Sequence, residues 1–119
     1  EFPAFFTRRS GLQVEISLDT PSDIARLLKA KWDFDLSGGV LVANPIPLAN
    51  EPDYKQVEKA IEKAQLQAQE MGIQGKELTP FLLDRIEKAT QGESLRANIQ
   101  LVLNNARLAA EIAEAYAPL

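Results

Sequence analysis

From residue 51 onward the chain shows only helical periodicity, and this feature constrains its fold more than any other. Apolar residues recur every three or four positions over residues 54–71, which is typical of a helix with one buried face. The Thr79 and Pro80 pair predicts another helix start, because a threonine cap before a proline is common there. Ser94 is predicted to cap the last helix, which extends to about Tyr116. Three helices are therefore predicted after residue 50.

The first 50 residues predict a strand, a helix and a second strand. Apolar and polar residues alternate over residues 12–18, which indicates a strand with one solvated face. Residues 40–43 (VLVA) form a continuous apolar run, which favours a strand buried on both faces. Between them, Thr20 and Pro21 predict the cap and first residue of a helix that extends to Phe34.

The fold class predicted from these patterns is α/β, with two short strands and four helices. Residues 1–47 are predicted to form a strand-helix-strand unit, and residues 51–117 the helical part. Two strands are few for four helices, because sheets usually contain about four to six strands. The chain also begins on an apolar cluster, without methionine. We therefore expect a single segment, residues 1–119, of a larger α/β domain whose other strands lie upstream or in another chain.

Composition excludes several classes of function. The 13 Lys and Arg residues against 17 Asp and Glu residues give a net charge of −4, which argues against a nucleic-acid polymer as partner. No apolar run approaches the ~20 residues of a membrane span, so no membrane partner is expected. The chain has no Cys and no His, which removes thiolate catalysis and the commonest general base. No carboxylate pair or apolar-embedded lysine stands out, so no catalytic residue is predicted.

A metal site is not predicted either. Residues 33–38 resemble the opening of an EF-hand loop, with oxygen side chains at positions 1, 3 and 5 and a glycine at 6. The twelfth position, which requires a bidentate glutamate, holds Asn44 instead. We expect a solvated helix end there rather than a calcium site.

Two amides in the last predicted helix are candidate binding groups. Asn98 and Asn105 fall within its apolar sector, away from its charged residues. A buried amide without a hydrogen bond costs about 1–3 kcal/mol, so each must find a partner. One interpretation is that both bind neighbouring backbone. The other is that one faces a pocket and binds a planar donor-acceptor edge such as a pyrimidine base.

Several stretches together resemble one enzyme family. They are residues 1–8 (EFPAFFTR), 38–47 (GGVLVANPIP), 75–83 (GKELTPFLL) and 92–99 (GESLRANI) with 104–106 (NNA). In this order they resemble the C-terminal part of the pseudouridine-5′-phosphate glycosidase, or indigoidine-synthase-A-like, family. The resemblance covers essentially the whole chain but only the later, smaller part of the family's polypeptide.

The resemblance implies an enzyme chemistry. Family members are soluble, cytoplasmic α/β/α-sandwich enzymes, described as homotrimers. They reversibly cleave the carbon–carbon glycosidic bond of pseudouridine 5′-phosphate to give uracil and ribose 5-phosphate. A lysine forms a Schiff base with the ring-opened sugar, a glutamate moves protons, and an aspartate with waters binds a divalent metal, typically Mn²⁺. The imine supplies the electron sink that a C-glycoside otherwise lacks.

The resemblance also implies what this chain contributes. The catalytic lysine, glutamate and metal aspartate lie upstream of Glu1 in the family, so this chain is expected to hold no catalytic or metal residue and to be inactive without the missing N-terminal part. Asn98 matches a family position that binds the uracil base. Asn44 is a second substrate-binding candidate, because it follows a predicted buried strand at its carboxyl end. The alternative is a non-catalytic helical assembly module, favoured by the excess of helix over strand.

Overall fold

The computed structural model describes residues 1–119 and contains four α-helices, two short 3-10 helices and no β-strand. The α-helices are α1 (Pro21–Asp33), α2 (Tyr54–Glu70), α3 (Leu78–Ala89) and α4 (Glu93–Tyr116). The 3-10 helices, Leu48–Asn50 and Gly75–Glu77, precede α2 and α3. The predicted number of helices is confirmed. None of them is both long enough and apolar enough to cross a membrane.

Side-chain caps explain where α1 and α2 begin. The Thr20 hydroxyl oxygen accepts a hydrogen bond from the Asp23 backbone N–H at 3.1 Å, and Pro21 takes the first helical position as predicted. The Asp53 carboxylate accepts a bond from the Gln56 N–H at 2.9 Å at the start of α2. Each cap gives a partner to one of the four N–H groups that a helix start leaves free.

The predicted start of α3 is wrong. The helix begins at Leu78, directly after a 3-10 turn, so Thr79 lies inside it and makes no cap. Pro80 fits at the third helical position because the first four N–H groups of a helix have no intrahelical partner that a proline could remove.

The predicted Ser94 cap of α4 is also wrong. Gly92, with φ of +81°, precedes the helix, and the serine is already inside it. The cap comes from Thr90, which is buried: its hydroxyl accepts the Ser94 N–H at 3.2 Å and donates to the Ile86 carbonyl at 2.8 Å. One threonine hydroxyl therefore joins the end of α3 to the start of α4.

The helices pack in two pairs. Helix α1 lies against α4, and α2 lies against α3, while α3 and the first 3-10 helix also contact α4. The central apolar cluster draws on the N-terminal segment, the loop before α2 and three of the helices. Its buried members are Phe6, Ile46, Val57, Ala60, Ala64, Ile86 and Ala97.

The α/β prediction is wrong, because neither apolar run forms a strand. Residues 12–18 make one backbone hydrogen bond to another segment, from the Phe2 N–H to the Leu12 carbonyl at 2.8 Å. Residues 40–43 make none, and Leu41 is 81% exposed. A strand requires a neighbouring strand for its N–H and C=O groups, and one hydrogen bond beside the first run and none beside the second do not make a ladder.

The molecule is elongated and exposes more surface than a compact domain of its mass. Its radius of gyration is 17.4 Å, against about 13.5 Å for a compact chain of this length. Its accessible surface is 8688 Å², against about 6,400 Å² for a compact monomer of this mass. The excess is therefore about 2,300 Å². Much of it is apolar, because the side chains of both extended runs and of one face of α4 are exposed.

Candidate functional site

Two asparagines in the middle of α4 hold the loop formed by residues 44–47. The Asn44 Nδ2 group donates a hydrogen bond to the Asn105 side-chain oxygen at 3.1 Å. The Asn104 Nδ2 group donates to the Pro45 carbonyl at 3.2 Å. The loop is thus attached to the helix through one bond to a side chain and one to backbone.

The N-terminal segment supports the same loop from within the core. Ile46 is 1% exposed, and its carbonyl accepts a hydrogen bond from the Arg8 Nη1 group at 2.5 Å. The Arg8 backbone N–H donates to the Glu51 carboxylate at 2.7 Å. The rings of Phe5 and Phe6 meet edge to face, with centroids 4.5 Å apart. Arg8 therefore has a structural partner at the loop.

Asn98 differs from the other two asparagines on α4, Asn104 and Asn105, because its side chain has no hydrogen-bond partner within the chain. It is half-buried, and solvent reaches its amide atoms, since Arg85 Nε is the only buried side-chain nitrogen or oxygen without a partner. Asn98 precedes Asn105 by two turns on the same face, about 10.5 Å along the helix axis. Of the two amides singled out in the sequence, Asn105 is paired with a side chain and Asn98 remains free to bind.

The structure does not bring Asn98 and Asn44 into contact. Asn44 is bonded to Asn105 instead, and neither candidate lines either of the two main clefts. The larger cleft, about 500 Å³, lies between residues 49–53 and the start of α4. Its charged lining combines Glu51, Asp53 and Glu93 with Arg96.

Asn104 and Arg8 are positioning residues that the sequence analysis missed. A usable signal was present. Proline has no backbone N–H, and the loop contains two prolines, so its carbonyls depend on donors from outside the loop. Both donors come from residues inside the stretches that carry the family resemblance.

Four side chains have a pKa that departs clearly from its ordinary value. The side chains with a shifted pKa are all at the surface: Glu1, Asp23, Lys29 and Tyr54. The Thr20 hydroxyl, followed by Arg26, lowers the pKa of Asp23, and a hydrogen bond to Asp33 raises the pKa of Lys29. The Gly11 backbone N–H lowers the pKa of Glu1, and a hydrogen bond to Glu58 raises the pKa of Tyr54. All four shifts come mainly from local hydrogen bonds, so they identify no general acid or base.

The chain's own donors do not fit a metal centre. No group of three or more Asp or Glu residues lies close enough together to hold an ion. Mn²⁺ prefers oxygen ligands gathered at one point, and even the three carboxylates that line the larger cleft do not lie close enough together for this.

Comparison with known proteins places this geometry in a family. The model of the family described as "Indigoidine synthase A like protein" matches residues 1–115. Pseudouridine-5′-phosphate glycosidase from Petrotoga mobilis is 51% identical over 116 residues, which cover 98% of this chain and 38% of the relative. The enzyme of the same name from Caldanaerobacter subterraneus subsp. tengcongensis is 53% identical over 113 residues, covering 95% of this chain and 37% of the relative.

A solved structure shares the arrangement. The crystal structure of the prealnumycin C-glycosynthase AlnA in complex with ribulose 5-phosphate superimposes with a TM-score of 0.82 at 32% identity. The superposition covers 95% of this chain and 37% of that chain. The 119 residues thus span less than two fifths of the length of the relatives they match.

Proposed function

The chain belongs to the indigoidine synthase A-like family, and we propose that it is the C-terminal part of an enzyme that reversibly cleaves pseudouridine 5′-phosphate to uracil and ribose 5-phosphate. The similarity to glycosidases along nearly the whole chain carries this proposal. The structural likeness to a C-glycosynthase supports it. That enzyme was solved with ribulose 5-phosphate, and the proposed reaction also concerns a C-glycoside and a sugar phosphate.

In this proposal Asn98 binds the uracil base. Its amide offers both donors and an acceptor, which suits the alternating N–H and C=O groups at the edge of a pyrimidine. The absence of an internal partner supports the assignment, because the amide is then available without breaking a protein hydrogen bond. Asn44 would contribute its side-chain oxygen and the second N–H of its Nδ2 group, since only one of the two N–H donors is bonded to Asn105.

The bond-breaking groups would lie outside these 119 residues. The lysine that forms the imine, the proton-transferring glutamate and the aspartate that holds Mn²⁺ belong, in this proposal, to the remaining part of the protein. The absence of any cluster of three or more carboxylates in this chain supports that division. Assembly as a homotrimer in the cytoplasm is part of the same proposal.

The uncovered apolar surface would pack against the remaining part of the protein. An excess of about 2,300 Å² is large beside the roughly 800 Å² that each partner buries in a standard interface. A non-catalytic assembly module would use the same surface, so exposure alone does not distinguish the two functions. Activity does, because an assembly module cleaves nothing even when the protein is intact.

The experiment compares two amide variants in the intact protein. Asn98→Ala should lower kcat/KM for pseudouridine 5′-phosphate by about 5- to 150-fold, since a lost hydrogen bond is worth about 1–3 kcal/mol. Gln100→Ala, the matched control on the same helix, removes another amide without a hydrogen-bond partner within the chain and should leave kcat/KM nearly unchanged.

Three outcomes would count against parts of the proposal. An intact protein without glycosidase activity would refute the function and favour the assembly module. Equal kinetics for Asn98→Ala and the parent would remove Asn98 from the base site. Turnover by the isolated 119-residue chain at the rate of the intact protein would refute the placement of the catalytic groups elsewhere.

A further inference from the structure

The groove between α2 and α3 is lined by positive side chains and by no acidic one. Lys63 enters it from α2, and Arg85 and Lys88 enter it from α3. Alanines and Gln67 form the rest of a lining that encloses about 260 Å³. This local charge contrasts with the net charge of −4 of the whole chain.

Two of the three cations have no carboxylate partner. Lys88 is paired with Asp84 at 2.8 Å, whereas no Asp or Glu lies within 4.0 Å of the Lys63 or Arg85 charged groups. The groove and its immediate border therefore carry an uncompensated charge of about +2 at neutral pH, since lysine and arginine stay protonated there.

Arg85 is held in place without using its hydrogen-bonding capacity. Its guanidinium lies over the Phe81 ring, 5.0 Å from the ring centroid, which fixes the group by a cation–π contact. Its Nε atom is the one buried side-chain polar atom in the chain without a hydrogen-bond partner. The two terminal nitrogens of the Arg85 guanidinium also have no hydrogen-bond partner within the chain, and solvent reaches them, so they are available to an anion.

We propose that the α2–α3 groove binds a phosphate group as a dianion, either free or carried on a phosphomonoester. A phosphomonoester has a charge of about −1.5 to −2 at neutral pH and three strong acceptor oxygens. That charge matches the uncompensated cations, and the planar fork of an arginine suits two phosphate oxygens at once. A carboxylate, with a single charge, would leave one cation unpaired. The inference follows from these side chains and does not rest on the glycosidase function.

The test is calorimetric titration of the intact protein at constant ionic strength, with inorganic phosphate, ribose 5-phosphate and acetate as separate probes. The parent should show a phosphate-binding event that Arg85→Gln weakens by about tenfold or more, as expected for loss of a charge-assisted hydrogen bond. Arg107→Gln removes the same charge from an exposed, unpaired arginine on α4, and it should leave that event unchanged. The two phosphate probes show whether the groove binds the free ion or needs the attached sugar.

A second variant keeps the test valid if Arg85→Gln perturbs folding. Lys63 is exposed, so Lys63→Gln should weaken phosphate binding several-fold without changing the melting temperature. Identical titrations for the parent, Arg85→Gln and Lys63→Gln would overturn the proposal. An equal loss of phosphate affinity in Arg107→Gln would also overturn it, because it would indicate a general charge effect. Acetate that binds as tightly as phosphate would overturn it too, because the groove would then not recognise a dianion.

Discussion

Truncation of Ile46 should cost this chain a large part of its stability. Ile46 is 1% exposed, the largest of the fully buried side chains, and it belongs to the central apolar cluster. Ile46→Ala removes three buried carbons, worth about 2.4 kcal/mol in transfer free energy at ~0.8 kcal/mol per methylene. The cavity left behind adds to this, so the total loss should fall at about 2–5 kcal/mol.

The chain offers a matched control two residues away. Leu48 is 74% exposed in the same segment, so Leu48→Ala should change the free energy of unfolding by less than about 0.5 kcal/mol. Urea unfolding of the 119-residue chain, followed by far-UV circular dichroism, measures both. With a slope of about 2 kcal/mol per molar, Ile46→Ala should lower the midpoint by about 1–2.5 M. Equal midpoints for the two variants, or a parent chain without a cooperative transition, would refute the reasoning.

Two further predictions concern helix ends. Thr90→Val should destabilise the chain by about 1–3 kcal/mol, because the buried Ser94 N–H loses its acceptor, and chemical denaturation would show this; an unchanged midpoint would contradict the joining role of the hydroxyl. The hydrogen bond from Thr20 lowers the pKa of Asp23 from its ordinary value of 3.8. The stability that it adds is present above that pH and is lost as the pH falls through the lowered pKa. Thr20→Val should raise the pKa of Asp23, and NMR titration of its carboxyl carbon with no difference from the parent would rule this out.

Helix positions were predictable from the sequence where a local cap specifies them. The Thr20 and Pro21 pair located the start of α1 correctly because both residues act through their immediate neighbours. The same reasoning failed at Thr79 and Ser94, where a preceding 3-10 turn and the hydroxyl of Thr90 determine where the helices begin. These contacts depend on how two elements meet, and residue spacing within one element does not reveal them.

The sequence pattern alone could not show whether residues 12–18 and 40–43 form a sheet within this chain. Alternation over residues 12–18 describes which side chains are apolar, but a strand also needs a neighbour that pairs with it along its length, and the chain provides only the single bond from Phe2 to Leu12. For the candidate site, the helical spacing predicted that Asn98 and Asn105 share the apolar sector of α4, whereas in the structure Asn98 is half-buried and Asn105 is exposed. It could not show that Asn44 pairs with Asn105, because that contact joins residues 61 positions apart.

The attachment of the 44–47 loop to α4 has a consequence for its motion. Consecutive helical residues project about 100° apart, so Asn104 and Asn105 approach the loop from two directions. Tilting the loop about one bond lengthens the other, and the segment should therefore fluctuate together with the helix. A small molecule that reaches Asn44 would meet a backbone already ordered, and its capture would need little additional loss of conformational freedom.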